Sequence, residues 1–392
     1  MESKDFSSQL SDLRSQFPIL NHWLYLNHAG VCPISKKVIE GIDAYLRDLA
    51  ENGVAHEEKW EEMADRVRAQ FARLVNCDPL EVTFIRNTSH GLSLFASGYP
   101  WKEGDNVVLC EDEEYPSVIY PWKQLKSRGV SIRKVKATED HRIPISAFLE
   151  AIDKKTRALC VSSVEYATGF RNDLASLGQI AHERGIYLIV DGIQSLGALK
   201  MDVQKYGIHL LAADSHKWLL GISGIGGCYI HKDLIPLLTP PLVGWKSTKG
   251  AWDFDRARYD LWDDARRFEE GSPNYAGIYG FHESLKIFEI FGMEWIESRL
   301  FALTDFLIEG LQRLNHPVTF VSSLHPKERS SFFSFQLPGF GEELASILQE
   351  QKVCISYRRK AFRISPHFYN TEDELNRFLE ILKESILKLQ GS

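Results

Sequence analysis

From residue 82 onward, short apolar runs alternate with helical stretches, and few folds accommodate that alternation. Val82 to Ile85, Asn106 to Cys110, Ala158 to Ser162, Ile186 to Val190, Leu210 to Ala213 and Cys228 to Ile230 are too short for helices and largely apolar throughout, which predicts strands buried on both faces. Between them, Leu174 to Arg184 reads as a helix with Leu174, Leu177, Ile180 and Ala181 inward and Gly185 at its stop. Such strands joined by helices predict an α/β fold with a mainly parallel central sheet, whose sites lie beyond the carboxyl ends of the strands.

Around this centre the reading is coarser. Ser35 is expected to cap a helix carrying Val38, Ile39, Ile42, Tyr45, Leu46 and Leu49 that ends at Gly53, and a second helix with Trp60, Met63, Val67, Phe71 and Leu74 on one face follows. After Ser272 the pattern predicts one long helix from about Gly280 to Leu314. Strands are expected at Val318 to Val321, Ser331 to Gln336, Val353 to Ser356 and Ala361 to Ser365, and a helix at Gly341 to Gln351. Thr371 and Glu374 form a capping box for a last helix. The expected division is an N-terminal segment, 1–26, packing with a smaller C-terminal α/β domain, 280–392, and a large domain, 27–279.

Composition excludes some partners. A net charge of -7 over 392 residues disfavours nucleic acid and anionic membrane. The N-terminus is polar, no run of some 18 apolar residues occurs, and the six cysteines are scattered without paired spacing, so a cytoplasmic protein with reduced thiols is expected. No HExxH spacing or compact His/Cys cluster suggests a metal.

One stretch asks for chemistry. The apolar run Ile186 to Val190 ends on Asp191, and the next strand leads into Ser215-His216-Lys217-Trp218, which sets a lysine in apolar surroundings before a glycine-rich turn. Partial desolvation lowers an amine's pKa and suits it to a Schiff base, while a carboxylate at a strand end suits a protonated pyridine nitrogen. Pyridoxal 5'-phosphate (PLP) needs that pairing, with an ordinary capping Asp and a surface Lys as the alternative. Arg86-Asn87-Thr88-Ser89-His90-Gly91 opens a helix directly after a strand, where hydroxyls and free N–H groups make either an anion site or a plain N-cap.

The segments VDGIQSLGALKMDV and AADSHKWLLGISGIGG, with YLNHAGVCP from Tyr25 to Pro33 and RISPHFYNTEDE from Arg363 to Glu374, resemble the class V aminotransferases, which include cysteine desulfurases, isopenicillin epimerase-like proteins and kynureninases. The resemblance implies a fold type I PLP-dependent transferase. It implies Lys217 and Asp191 as catalytic residues, and Thr88, Ser89, Tyr115, Gln194, Ser215 and His216 as further cofactor contacts. In it, Tyr115 stacks on the ring, Gln194 meets the ring oxygen, and Ser272 in Phe268-Glu269-Glu270-Gly271-Ser272-Pro273-Asn274 reaches the phosphate of a neighbouring subunit, so that a homodimer with shared sites is expected. Arg363 matches the arginine for the substrate α-carboxylate, with Arg358 and Arg359 close enough to compete. His28 and Tyr166 complete the expected substrate contacts, Tyr166 standing where desulfurases carry asparagine.

The implied activity is chemistry at Cα of an amino acid through an external aldimine. Aminotransferase-type chemistry leads, a C–S lyase, cysteine desulfurase-like or epimerase reaction is the alternative, and a non-catalytic PLP-binding homologue is a further one. Desulfurases need a cysteine on a mobile loop shortly before the carboxylate-binding arginine. Cys354 is near, but Val353 to Ser356 reads as a strand, which argues against persulfide chemistry on this chain.

Overall fold

The computed structural model describes residues 6–255 and 258–391, so residues 1–5 of the polar lead lie outside the described residues. The chain opens with α1 (Ser7–Ser15) and β1 (Leu24–Tyr25). Ser35 caps α2 (Lys36–Asn52) by accepting from Val38 N, and Gly53 at φ +55 ends it. In α3 (Glu57–Val75), Trp60, Val67 and Phe71 are buried on one face.

Seven strands form the central sheet: β2 (Val82–Ile85), β3 (Asn106–Leu109), β4 (Ser131–Lys134), β5 (Thr156–Ser162), β6 (Tyr187–Asp191), β7 (Leu210–Asp214) and β8 (Gly226–Ile230). Their order is β4-β3-β5-β6-β7-β8-β2. β3 to β7 pair in parallel, and β8 runs antiparallel between β7 and β2. The helices α4 (Thr88–Gly98), α5 (Pro116–Lys123), α6 (Ile145–Ala151) and α7 (Leu174–Arg184) supply the crossovers, and one apolar core packs on each face of the sheet. Strand β4 carries no apolar run because it is the half-exposed edge, where only one side needs burial.

The long helix expected from Gly280 to Leu314 is two, α8 (Tyr275–Phe291) and α9 (Met293–Gln312), because Gly292 at φ +75 breaks it. The expected boundary at 280 falls inside α8, whose Phe281, Leu285 and Phe288 belong to the core under the large sheet. Next come β9 (Thr319–Phe320), β10 (Phe333–Gln336), α10 (Glu342–Glu350), β11 (Val353–Cys354), β12 (Ser356–Arg358), β13 (Ala361–Ile364) and α11 (Glu372–Gln390). The single strand expected at Val353 to Ser356 is split: β11 pairs in parallel with β1, whereas β12 joins the four-stranded sheet β12-β13-β10-β9. The N-terminal segment is held to this region by that pairing and by Arg14, which meets Glu374 at 2.8 Å. Thr371 and Glu374 form the capping box of α11. Among the described residues, no helix is long and apolar enough to cross a membrane.

Candidate active site

At the carboxyl ends of the parallel strands lies a cavity of about 400 Å³ lined by Thr88, Ser89, Tyr115, Tyr166, Asp191, Gln194, His216, Lys217 and Arg363, among others. Nine of the twelve residues expected at a site therefore converge there from six separate segments. Each arrives by the local logic of its element.

Strand β6 is buried along its length between β5 and β7 and delivers Asp191 at its end. One carboxylate oxygen accepts from Ile193 N at 2.9 Å, and the other has no hydrogen-bond partner among the described residues. Burial lifts the Asp191 pKa to about 6, against the opposing pull of the Ile193 N–H and of Lys217. Lys217 sits on the turn between β7 and β8, with its Nζ 5.8 Å from the centre of the Tyr115 ring. Burial lowers its amine to about 8; Arg363 and Arg358 push the same way, while Asp191 and Asp214 oppose. An amine of that pKa is partly neutral near physiological pH and therefore nucleophilic and basic.

Trp218, fully buried beside the lysine, fixes the next group. Its Nε1 donates to Gln194 Oε1 at 3.0 Å, so the Gln194 nitrogen must point the other way, where one N–H reaches Ala29 O at 3.1 Å and the second remains free. Helix α4 begins at the cavity lip. Asn87 caps it by accepting from His90 N, and the amides of Thr88 and Ser89 have no acceptor among the described residues. Two free N–H groups, the Thr88 hydroxyl and the positive end of an eleven-residue helix make an anion site. α4 sits this close because residue 91 is glycine: a Cβ there would lie 2.5 Å from the Ala212 Cβ on β7. His216 lies across from it, its Nδ1 2.9 Å from Asp214 Oδ2.

Tyr115 precedes the first proline of α5, keeps 43% of its surface exposed, and meets Tyr166 edge-on at 5.1 Å. Arg363 comes from β13. Its Nη1 donates to Tyr166 O at 2.5 Å, while Nε and Nη2 are buried without a partner among the described residues. Burial, helped by Arg358, lowers its pKa to about 10. A buried cation with two unused N–H groups beside a cavity calls for a carboxylate.

Three expected residues do not reach the cavity. The Ser215 hydroxyl donates to Ile222 O at 2.7 Å, turned into the β7–β8 connection against Gly221. His28 is fully buried, with its ring nitrogens 2.9 Å from Ser365 O and 2.6 Å from the Tyr369 hydroxyl. Burial drops its pKa to about 4, which leaves a neutral core histidine with both nitrogens engaged. Ser272 is exposed outside this cavity.

Sequence reasoning missed others. Ser117 lines the cavity and accepts the Ser89 hydroxyl at 2.8 Å, and Asn27 lines it with Oδ1 buried and unpaired. Glu114 is buried beneath Tyr115, where it takes the Ser162 N–H at 2.6 Å and hydroxyl at 2.5 Å; burial raises it to about 8, with the Asp191 charge adding. The available signal was the acid-rich run before Tyr115, which reads as solvated surface until Ser162 is brought against it.

The "aminotransferase class-V" family model matches residues 24–378. A probable cysteine desulfurase of Pyrococcus abyssi is 27% identical over 402 residues, covering 97% of this chain and 98% of the relative. Among solved structures, an apo cysteine desulfurase from Thermococcus onnurineus NA1 superposes with a TM-score of 0.86 at 26% identity, covering 95% of this chain and 97% of that one. The cystine C–S lyase C-DES, in complex with its reaction product cysteine persulfide, superposes at 0.87 with 26% identity over 94% and 99%. A mutant of C-DES, with glycine covalently linked to the PLP cofactor, gives 0.88 at 25% identity over 95% and 99%.

Proposed function

This chain belongs to the class-V aminotransferase family, and from that premise we propose that it is a C–S lyase, removing a sulfur group from Cβ of an amino acid. Membership makes it an enzyme of fold type I whose cofactor is pyridoxal phosphate. The residues fit that group: a half-unpaired carboxylate, a desolvated amine, free helix N–H groups and an aromatic face border one cavity.

When bound, the cofactor supplies an aldehyde for the substrate amine and a ring that accepts the electron pair released at Cα. With the group bound, Asp191 would hold a proton on the ring nitrogen through its unpaired oxygen. Gln194 would offer its second N–H to the ring oxygen, Tyr115 would cover one face, and Thr88, Ser89 and His216 would hold the phosphate. Arg363 grips the α-carboxylate with Nε and Nη2, which presents the Cα proton to Lys217. The Lys217 amine, near pKa 8, takes that proton as general base.

With the Cα proton on Lys217, a Cα–Cβ double bond would form as the Cβ–S bond breaks, the bond pair leaving on sulfur. The balance is RS–CH2–CH(NH3+)–COO− plus water giving pyruvate, ammonium and the thiol RSH. Transamination shares the proton removal and differs in where the proton returns. One observation carries the lyase reading over a desulfurase that stores sulfur on its own cysteine: no cysteine is among the described residues lining the cavity. Cys354 is fixed on β11 against β1, and the Cys32 thiol, pushed far up by burial, donates to Gly221 O at 3.3 Å. Between Cys354 and Arg363 the chain is the β12–β13 hairpin with a two-residue turn, with no length for a mobile loop. Sulfur therefore leaves as a free product, as in the C–S lyase the chain resembles.

The test is holoenzyme with L-cysteine and L-cystine. Pyruvate, followed by lactate dehydrogenase, should form continuously, and Cys354→Ser should retain that rate. A single turnover that stops in the amine form of the cofactor would replace the lyase reading with transamination. Loss of sulfur release in Cys354→Ser would replace it with persulfide transfer.

The expected homodimer is part of the same proposal. Ser272 is exposed and does not line its own cavity, and α2 leaves Ile39, Leu46 and Leu49 exposed on its apolar stripe, with Phe254 74% and Tyr259 73% exposed further along. An apolar surface of that kind supports a second copy as its cover.

A further inference from the structure

The cavity holds one more cation than the reaction uses. Asp191 and the substrate α-carboxylate account for Lys217 and Arg363, yet Arg358 also lines the cavity, with no ion pair or hydrogen bond to any described residue. Its neighbour is different: Arg359 donates to Asp112 O at 3.1 Å, lies 3.5 Å from Glu113 Oε2 and stacks 5.3 Å from the Tyr166 ring. Glu113 is itself held by His141 at 2.8 Å.

The strand register places Arg358 and Arg363 together. β12 and β13 pair with Ser356 opposite Arg363, Tyr357 opposite Phe362 and Arg358 opposite Ala361. Opposed residues share a face and alternate residues return to it, so Arg358, Ala361, Ser356 and Arg363 lie on one face, while Phe362 joins the core of the small sheet behind. Arg358 and Arg363 are thus diagonal neighbours, roughly 7–8 Å apart at the backbone. Two arginines on one face that line one cavity can meet both ends of an amino acid that carries an anion on its side chain. Ala361 opposite Arg358 is small and leaves the guanidinium free to turn into the cavity.

The hairpin is also held in place at a cost. Arg359 at φ +49 and Lys360 at φ +61 make its two-residue turn in the left-handed region, where Asn-Gly would be strain-free. The contacts of Arg359 across the cavity mouth fasten that turn to the large domain and hold Arg358 over the site.

Building on the C–S lyase reading of this site, we propose that its substrate is a dianionic amino acid, with Arg363 taking the α-carboxylate and Arg358 the second anion at the far end of the side chain. The shared chemistry is a distal carboxylate or sulfur oxyacid. It is met by a disulfide whose other half bears a carboxylate, such as L-cystine, and by a sulfonate on the leaving sulfur, such as S-sulfo-L-cysteine, whose RS group departs as thiosulfate.

Spectral titration of the holoenzyme with the isosteric pairs L-aspartate against L-asparagine and L-glutamate against L-glutamine tests this without turnover. Wild type should bind the acid of each pair roughly 10- to 100-fold more tightly than the amide. In Arg358→Gln that ratio should fall to about one, with Arg358→Lys between. Turnover of L-cystine against S-sulfo-L-cysteine, both followed as pyruvate, then tells which source of the second anion is used, either being consistent with the proposal. Equal affinity within each pair in wild type, or a preference that survives Arg358→Gln, overturns the dianion proposal while the lyase reading stands. No spectral response to any amino acid overturns both.

Discussion

The same burial that activates Lys217 destabilises the apoprotein, and the size of that penalty can be worked out. The amine has a pKa of about 8 in the fold against 10.5 ordinarily. At about 1.4 kcal/mol per unit, holding the proton in the folded state costs about 3 kcal/mol. Below pH 8 the lysine is charged both folded and unfolded, so the full cost applies. Between pH 8 and 10.5 the unfolded chain binds more protons than the folded one, so stability rises with pH until the cost disappears. Replacing the lysine with a neutral side chain of similar length, Lys217→Met, removes the charge and keeps the volume. Removing the amine also deprives Asp191 of the cation that holds its pKa down, which offsets part of the gain. The expected net effect is an apoprotein more stable by about 1–3 kcal/mol at pH 7, with the advantage shrinking toward pH 10. Urea unfolding of both apoproteins at pH 7, 8, 9 and 10 measures it. A variant no more stable than wild type at pH 7, or a gap that stays constant with pH, would refute the claim that Lys217 is a desolvated amine.

Three further outcomes follow from the geometry. Arg363→Ala should keep the bound-cofactor spectrum and weaken amino-acid binding roughly 10- to 100-fold, since two charge-assisted N–H bonds are lost; unchanged affinity in spectral titration would remove Arg363 from the site. Gly91→Ala forces a Cβ to 2.5 Å from Ala212, so α4 must shift: about 1–3 kcal/mol should be lost in urea unfolding, and cofactor should dissociate faster, which dialysis followed by absorbance reads. Lys217→Ala and Ser272→Trp homodimers should each be inactive, and mixing them under dissociating and re-associating conditions should restore turnover in the hybrid; a fully active, cofactor-loaded monomer in light scattering would end the shared-site proposal.

What was legible in the sequence, and what was not, divides along physical lines. Strands β2, β3, β5, β6, β7 and β8 are buried on both faces, so local hydrophobicity alone locates them, and the site residues at their ends come with them. Asp191 and Lys217 stood out because a strand-end carboxylate and an apolar-flanked amine are costly without a purpose. Local pattern failed where the deciding partner is remote. The break at Gly292 follows from a left-handed φ that a helical stripe does not reveal, and the division of Val353 to Ser356 depends on β1, which is more than 300 residues earlier in the chain. His28 looked like a substrate contact beside a glycine turn, but Ser365 and Tyr369 claim both of its nitrogens. Ser215 was turned by Gly221 and Ile222, which leave its hydroxyl a closer acceptor than any ligand.

The electrostatics of the cavity also say what kinds of partner it lacks, because each shift has the sign of an incomplete pair. Asp191 is raised to about 6, the mark of a carboxylate whose burial is not matched by cations, and a protonated ring nitrogen at its free oxygen would return it to the charged form. Arg363 is lowered to about 10 with two donors unused among the described residues, the mark of a cation without its anion, and the proposed α-carboxylate would complete it. Lys217 is lowered to about 8 even with two acids nearby, which makes its neutral amine available for bonding to carbon and for taking a proton. A protein that merely stored a phosphate ligand would need the N-terminus of α4 and none of these three unmet charges. Their convergence in one cavity at the strand ends is what favours the proposed catalytic role over simple binding.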